Sequence, residues 1–215
     1  MHRRGRIELS RHSDLSMQKN LIIFIKNPVL GKVKTRLAKD VGDKEALSIY
    51  YDLLQRCREE CRKVNAKRWL YYSDELEQQD AWSEQHFTKR LQSQGDLGER
   101  IQDAFDTVNQ EGEATIIIGS DCYDLLASII EAAFEALEEK DFVIGPANDG
   151  GYYLLGSTQF HPQLFQQIDW STSAVFEQTI AQAKELNLSI EVLEELVDLD
   201  TLDDVKGSSY PWPKK

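Results

Sequence analysis

Two hydrophobic rhythms alternate along this chain. Leu21, Ile22, Ile23, Phe24 and Ile25 form a short apolar run closed by Lys-Asn-Pro, which predicts a strand buried on both faces. Ala46, Leu47, Tyr50, Leu53, Leu54, Cys57, Cys61 and Val64 then recur at helical spacing against a charged opposite face, predicting a long amphipathic helix. Residues 68–72 read as a second strand, 73–83 as a short helix and loop, and 86–92 as another strand. Asp96, with Glu99 three positions later and an apolar stripe at Leu97, Ile101, Phe105 and Val108, marks a helix start. Residues 114–118 make the most strand-like run, ending at Gly-Ser-Asp and followed by a helical stripe from Leu125 to Leu137. Strands at 142–144, 151–156 and 189–193 and helices at 163–168 and 173–186 complete the pattern. Strands alternating with helices predict an α/β fold, a mostly parallel sheet with helices on both faces.

Composition bounds this picture. With 215 residues, 41% hydrophobic and 29% charged, the chain suits one domain, expected at residues 17–207. Residues 1–16, with four Arg among Ser and His and without the apolar middle of a secretory signal, are expected to be a disordered extension. The breaker-rich stretch 208–215 is expected to be a flexible tail. No stretch approaches the roughly 20 apolar residues of a membrane span. Three cysteines form no disulfide framework and point to the cytoplasm, and Cys57 and Cys61, sharing a helix face, are expected to pack in the core.

The formal net charge of −12 argues against a nucleic-acid surface. Against that background residues 15–39 hold Lys19, Lys26, Lys32, Lys34, Arg36 and Lys39 and no acid. Pro28 and Gly31 force a turn after the first strand, so this segment can present backbone N–H groups, Lys26, Lys34 and Arg36 to phosphates; a solvated basic turn is the alternative. The spacing matches neither a Walker A loop nor a dinucleotide fingerprint. Asp121 stands at a strand tip, where an oxygen ligand suits Mg²⁺ or Mn²⁺; helix capping is its alternative role, one that Asp124 fits better. Asp149 precedes paired glycines that let backbone approach a ligand or simply close a hairpin. Asp198 to Asp204 is an acid cluster that can approach a metal or open a solvated helix. The histidines accompany no Ser or Cys pattern of a triad.

Taken in order, the segments 24–38 (Phe-Ile-Lys-Asn-Pro-Val-Leu-Gly-Lys-Val-Lys-Thr-Arg-Leu-Ala), 94–100 (Gln-Gly-Asp-Leu-Gly-Glu-Arg), 119–125 (Gly-Ser-Asp-Cys-Tyr-Asp-Leu), 145–156 (Gly-Pro-Ala-Asn-Asp-Gly-Gly-Tyr-Tyr-Leu-Leu-Gly), 170–173 (Trp-Ser-Thr-Ser) and 198–201 (Asp-Leu-Asp-Thr) resemble a bacterial family of glycosyltransferase-like proteins in the nucleotide-diphospho-sugar transferase superfamily, including members associated with arsenosugar biosynthesis. The resemblance implies a GT-A-type fold, a Rossmann-like sheet in which the N-terminal loop receives the nucleotide. It implies nucleotide or phosphate contacts from Lys26, Gly31, Lys34, Thr35, Arg36, Gln94 and Asp96, and substrate contacts from Gly150, Gly151, Tyr152 and Trp170. Asp121 and Asp200 become the metal ligands for Mg²⁺ or Mn²⁺, and Asp149 a general base or acceptor-orienting group. Tyr123 departs from the family's Pro, and the Asp-x-Asp of glycosyltransferases is reduced to Asp121. The implied reaction is metal-assisted sugar transfer from a nucleotide sugar to a small-molecule acceptor by a monomer or homodimer. Nucleotidylyl transfer from an NTP to a phosphorylated acceptor, and a non-catalytic nucleotide-binding regulator, remain alternatives.

Overall fold

A computed structural model of the chain describes residues 17–109, 112–159 and 161–213; the extension expected at 1–16 lies outside them. Strand β1 (Gln18–Ile25) contains the first apolar run and pairs in parallel with β2 (Lys67–Tyr72) on one side and β4 (Glu113–Ile118) on the other. β3 (Thr88–Leu91) lies parallel outside β2. On the far side β6 (Tyr152–Ser157) runs antiparallel to β4 and to β5 (Phe142–Pro146), and β7 (Ile190–Val192) pairs in parallel with β5. The order among the described residues is β3-β2-β1-β4-β6-β5-β7. The mostly parallel sheet expected from the sequence is therefore present, and β6 runs against it.

The continuous apolar strands are explained by two covers. Leu21, Ile23 and Ile25 pack on one face with Tyr50, Leu53 and Leu54 of α2 (Asp43–Lys63) and Ile130, Ala133 and Phe134 of α4 (Ala127–Ala136). Ile22 packs on the other with Ile101 and Phe105 of α3 (Leu97–Val108) and Ile180 and Ala183 of α5 (Val175–Glu185). Ile116 and Ile118 against Ile117 repeat the division in β4. Each such side chain contributes about 1.5–3 kcal/mol on burial, so a polar residue on either face of β1 or β4 would be strongly disfavoured. Cys57 and Cys61 lie buried in the first of these cores, Sγ to Sγ 3.8 Å apart, as their shared helix face predicts.

Four expectations change. Residues 73–83 form no helix. Their polar side chains find other partners there, Asp80 taking Tyr72 Oη and Lys89 Nζ, while Trp82 is pinned edge-on to Phe87 at 4.9 Å. The basic segment, read as a loop, contains helix α1 (Thr35–Val41). Asp124 does not cap α4; Glu60 Oε2 takes the N–H of Ala127 at 3.0 Å, and Asp124 binds Ser209. The stretch expected to be a flexible tail is held down at Tyr210, only 4% exposed, whose hydroxyl donates to Asp52 at 2.6 Å and whose ring meets Tyr123 edge-on at 5.2 Å. Tyr123, the departure from the family pattern, thus serves as an anchor for the C-terminal segment. Breaker residues signal irregular backbone, and one large ring in a socket suffices to fix such backbone.

Candidate functional site

The chain leaves β1 toward β2 on one side and returns through β4 on the other, so the loops after these two strands diverge. Such a reversal opens a crevice at the carboxyl ends of the strands. A cleft of about 540 Å³ lies there, lined by Lys26 after β1, Gly119, Ser120 and Asp121 after β4, Asp149, Gly151 and Tyr152 at the β5–β6 turn, and Asp198. Tyr50 of α2 fixes the first of these loops: its buried hydroxyl accepts from Lys26 N at 2.9 Å and donates to Lys26 O at 3.0 Å.

Lys34 turns the chain into α1 with a left-handed backbone, φ 48° and ψ 43°. That turn sends its side chain inward, where it is 3% exposed, and its ammonium lies 2.7 Å from Asp121 Oδ1 and 3.1 Å from Asp200 Oδ1. Arg36 Nη2 holds the other Asp200 oxygen at 2.6 Å. Burial works against the charge on Lys34, but the two carboxylates outweigh it and raise its pKa. Burial likewise opposes the charge on Asp121, and Lys34, with a further contribution from Lys26, overcomes it and holds this carboxyl below its usual range.

Asp198 has the opposite fate. An antiparallel bridge between Cys122 and Asp198, with Leu199 N donating to Asp121 O at 3.0 Å, brings the late acidic loop against the β4 loop. Asn148 braces that arrangement, accepting from Asp198 N at 3.1 Å and donating to Asp204 at 3.1 Å. Burial pushes the Asp198 carboxyl up to about 7, helped by the charges of Asp121, Asp149 and Asp200 against Lys34. Among the described residues its oxygens accept no hydrogen bond. Lys34 is committed to Asp121 and Asp200, and Asp198 makes no ion pair among the described residues.

Of the residues singled out from the sequence, Lys26, Arg36, Asp121, Asp149, Gly151 and Tyr152 line the cleft; Lys34 joins it through Asp121, and Asp200 through Lys34 and Arg36. The others do different work. Gly31 makes an exposed turn at φ 74°, and Thr35 is the exposed first residue of α1. Gln94 is exposed, and Asp96 caps α3 by accepting from Glu99 N at 2.9 Å while Glu99 returns a bond to its own N–H. Trp170 lies over Gly98 of α3, where a Cβ would stand 2.4 Å from its ring. Gly150, at φ 86°, lets the β5–β6 turn touch the backbone of Ser173, 2.3 Å from where a Cβ would be. Asp149 closes its own turn, Oδ1 accepting from Gly151 N at 2.9 Å. The structure adds Asp198, Tyr50, Gln92, Ser120 and Arg100. Asp198 and Arg100 sat in segments already noted, but no local pattern separates them from Asp200 or from a solvated helix residue. Tyr50 was indistinguishable from its apolar neighbours on the helix stripe.

Asp121 and Asp198 supply the hard oxygen donors that Mg²⁺ or Mn²⁺ takes, whereas both oxygens of Asp200 are engaged by Lys34 and Arg36. No group of three or more His, Cys, Asp or Glu side chains among the described residues is arranged to hold a metal by itself. A cation here would draw its remaining ligands from a substrate, as Mg²⁺ does when it uses one or two carboxylates plus phosphates. The Asp198 carboxyl, without an ion pair among the described residues and in one cleft with Asp121, is the feature that fits it. No helix among the described residues is long and apolar enough to cross a membrane.

The chain matches the model of a family described as uncharacterized protein conserved in bacteria (DUF2064) over residues 56–172. It is similar to the crystal structure of a candidate nucleotide-diphospho-sugar transferase from Desulfovibrio desulfuricans G20, with 30% identity, 90% of each chain covered and a TM-score of 0.81. Two more distant structures share the fold alone. One is the 4-diphosphocytidyl-2C-methyl-D-erythritol synthase of Anaerococcus prevotii DSM 20548, 9% identical over 89% of this chain and 94% of that one, with a TM-score of 0.56. The other is CMP:2-keto-3-deoxy-manno-octonic acid synthetase complexed with CTP, 10% identical over 88% and 96%, with a TM-score of 0.53. No curated protein matches. With its sheet order, its cleft at the strand reversal and a match over more than half its length, the chain belongs to the bacterial DUF2064 family and has the nucleotide-diphospho-sugar transferase fold.

Proposed function

We propose that the protein is a cytoplasmic, metal-assisted transferase that moves a sugar from a nucleotide-diphospho-sugar to a small-molecule acceptor. The observation that carries this reading is that Asp121, Asp198 and Lys26 line one cleft at the β1–β4 reversal. Asp121 and Asp198 would hold Mg²⁺ or Mn²⁺, which when bound would offset the negative charge of the diphosphate. Lys26 contributes a point charge beside the phosphates, and Lys34 keeps Asp121 ionised and oriented. Asp149, exposed and lining the same cleft, would accept the proton of an acceptor hydroxyl. In that step the acceptor oxygen bonds to the anomeric carbon, the bond from that carbon to the phosphate oxygen breaks, and the nucleoside diphosphate leaves. The similarity to the Desulfovibrio protein supports a nucleotide-diphospho-sugar donor.

Nucleotidylyl transfer is the second reading, favoured by the fold shared with the synthetase bound to CTP. There the acceptor attacks the α-phosphate and pyrophosphate leaves. The two reactions differ in what they release. Incubation with nucleotide sugars or with NTPs, Mg²⁺ and a panel of sugar and phosphorylated acceptors should yield nucleoside diphosphate on our reading. Pyrophosphate from an NTP would establish the second reading, and turnover unchanged in Asp121→Ala would refute the site.

A further inference from the structure

The cations of this cleft fall into two groups. Lys34 and Arg36 are already ion-paired to Asp121 and Asp200. Among the described residues, Lys26 and Arg100 have no carboxylate within 4 Å, although both line the cleft. Arg100 is nevertheless held in place. Its Nε donates to Gly95 O at 3.1 Å and its Nη1 to Gln92 Oε1 at 3.4 Å, both neutral acceptors that leave the charge uncompensated.

Gln92 connects this arginine to the first loop. It is only 7% exposed, and its Nε2 donates at 3.2 Å to Ile25 O, the carbonyl just before Lys26, and at 3.2 Å to Tyr71 O. Tyr50 fixes Lys26 itself from the other side through both of its backbone polar groups. One buried amide and one buried phenol therefore fix the placement of two charged residues that make no ion pair among the described residues. A guanidinium with a free nitrogen and an ammonium lining the same cleft suit a group with several anionic oxygens, since Arg forks onto two of them and Lys adds a point charge.

We propose that Lys26 and Arg100, positioned by Gln92, form the clamp for the diphosphate of the donor nucleotide, while Lys34 and Arg36 act as internal counter-ions of the acidic loops. The proposal rests on the cleft being a nucleotide site. It reassigns phosphate binding from the helix-starting Lys-Thr-Arg segment to a residue on α3 that packs from the opposite face of the sheet.

Calorimetric titration in MgCl₂ with UDP, GDP, CDP, ADP and dTDP and the matching monophosphates tests it. In Arg100→Gln the preferred diphosphate should bind about tenfold more weakly, in line with loss of a charge-assisted bond, and the monophosphate much less so. Arg100→Lys should recover part of the loss, and Lys26→Gln should behave like Arg100→Gln. Gln92→Leu should lose the same diphosphate preference, a ratio that mere destabilisation of the fold would not alter. Lys32→Gln, a charge change on the same basic segment outside the cleft, should keep the wild-type ratio. Equal weakening of mono- and diphosphates in Arg100→Gln would move this arginine to the nucleoside and overturn the clamp, as would unchanged binding. If the wild-type protein binds no nucleotide, the reading of the cleft falls and the clamp with it.

Discussion

Replacing Lys34 by Met tests the electrostatic centre of the cleft. Met keeps the length of the side chain and the left-handed backbone at φ 48°, so any backbone strain is common to both proteins; Gly would relieve it and confuse the result. Removing one partner of a fully buried pair costs about 3–5 kcal/mol because a charge is left uncompensated. Here Asp121 retains 38% and Asp200 27% side-chain exposure, and Arg36 still holds Asp200, so water can recover part of that loss. We expect about 2–3 kcal/mol of destabilisation at pH 8 after this discount, or a melting temperature lower by about 5–10 °C. The pH dependence gives the sign. In the wild type Asp121 titrates below its unfolded value, so its contribution is present above the unfolded pKa and is lost as pH falls through the lower folded one. Without Lys34, burial of Asp121 is opposed only by the smaller contribution of Lys26, so its carboxyl rises, and the variant should be weakest at pH 8 and approach the wild type near pH 4. Urea unfolding at both values, in EDTA, measures this. Adding Asp121→Asn to the variant should restore stability at pH 8. A Lys34→Met protein as stable as the wild type, or equally weakened at both pH values, would refute the argument.

Two further outcomes follow from the same loops. Asp198 is pushed up to about 7, so between about pH 4 and 7 the folded chain keeps a proton that the unfolded chain releases, and stability falls as pH rises through that window. Asp198→Asn should flatten this slope in EDTA and gain about 1–2 kcal/mol at pH 8, the full shift of roughly 4 kcal/mol being reduced by partial exposure; a variant with the wild-type pH profile would contradict it. Gly150→Ala forces a side chain into a positive-φ position 2.3 Å from Ser173 O, and should destabilise by about 2 kcal/mol or more while lowering nucleotide affinity, measured by thermal unfolding and calorimetry.

Much of the framework was readable along the chain because its causes are local. A run such as Leu21 to Ile25 needs two apolar covers whatever lies beside it, and the stripe from Ala46 to Val64 can bury its face only as a helix. The capping box at Asp96 and Glu99 involves neighbours in one turn, so its helix start was visible, although Asp96 turned out to serve the helix and not the cleft. The three strand-end segments were also legible, since turn residues and charged groups directly after buried strands mark loops at one end of a parallel sheet.

Which charged groups meet was a different matter. Lys34 and Asp200 are 166 residues apart, and their contact exists only because β1 and β4 are neighbours and the late loop bridges at Cys122. A lysine bound for phosphate and a lysine that neutralises carboxylates read alike in sequence, and so do Asp198 and Asp200, two positions apart in one acidic run. Arg100 comes to the cleft on a helix from the other face of the sheet, and Tyr210 finds its socket across the domain. Hydrophobic period and turn chemistry act over a few residues and determined the elements of this protein. Burial and Coulomb interactions depend on distances that only the strand order decides, so the tertiary structure alone determined which of its many charges face the cleft and which balance one another.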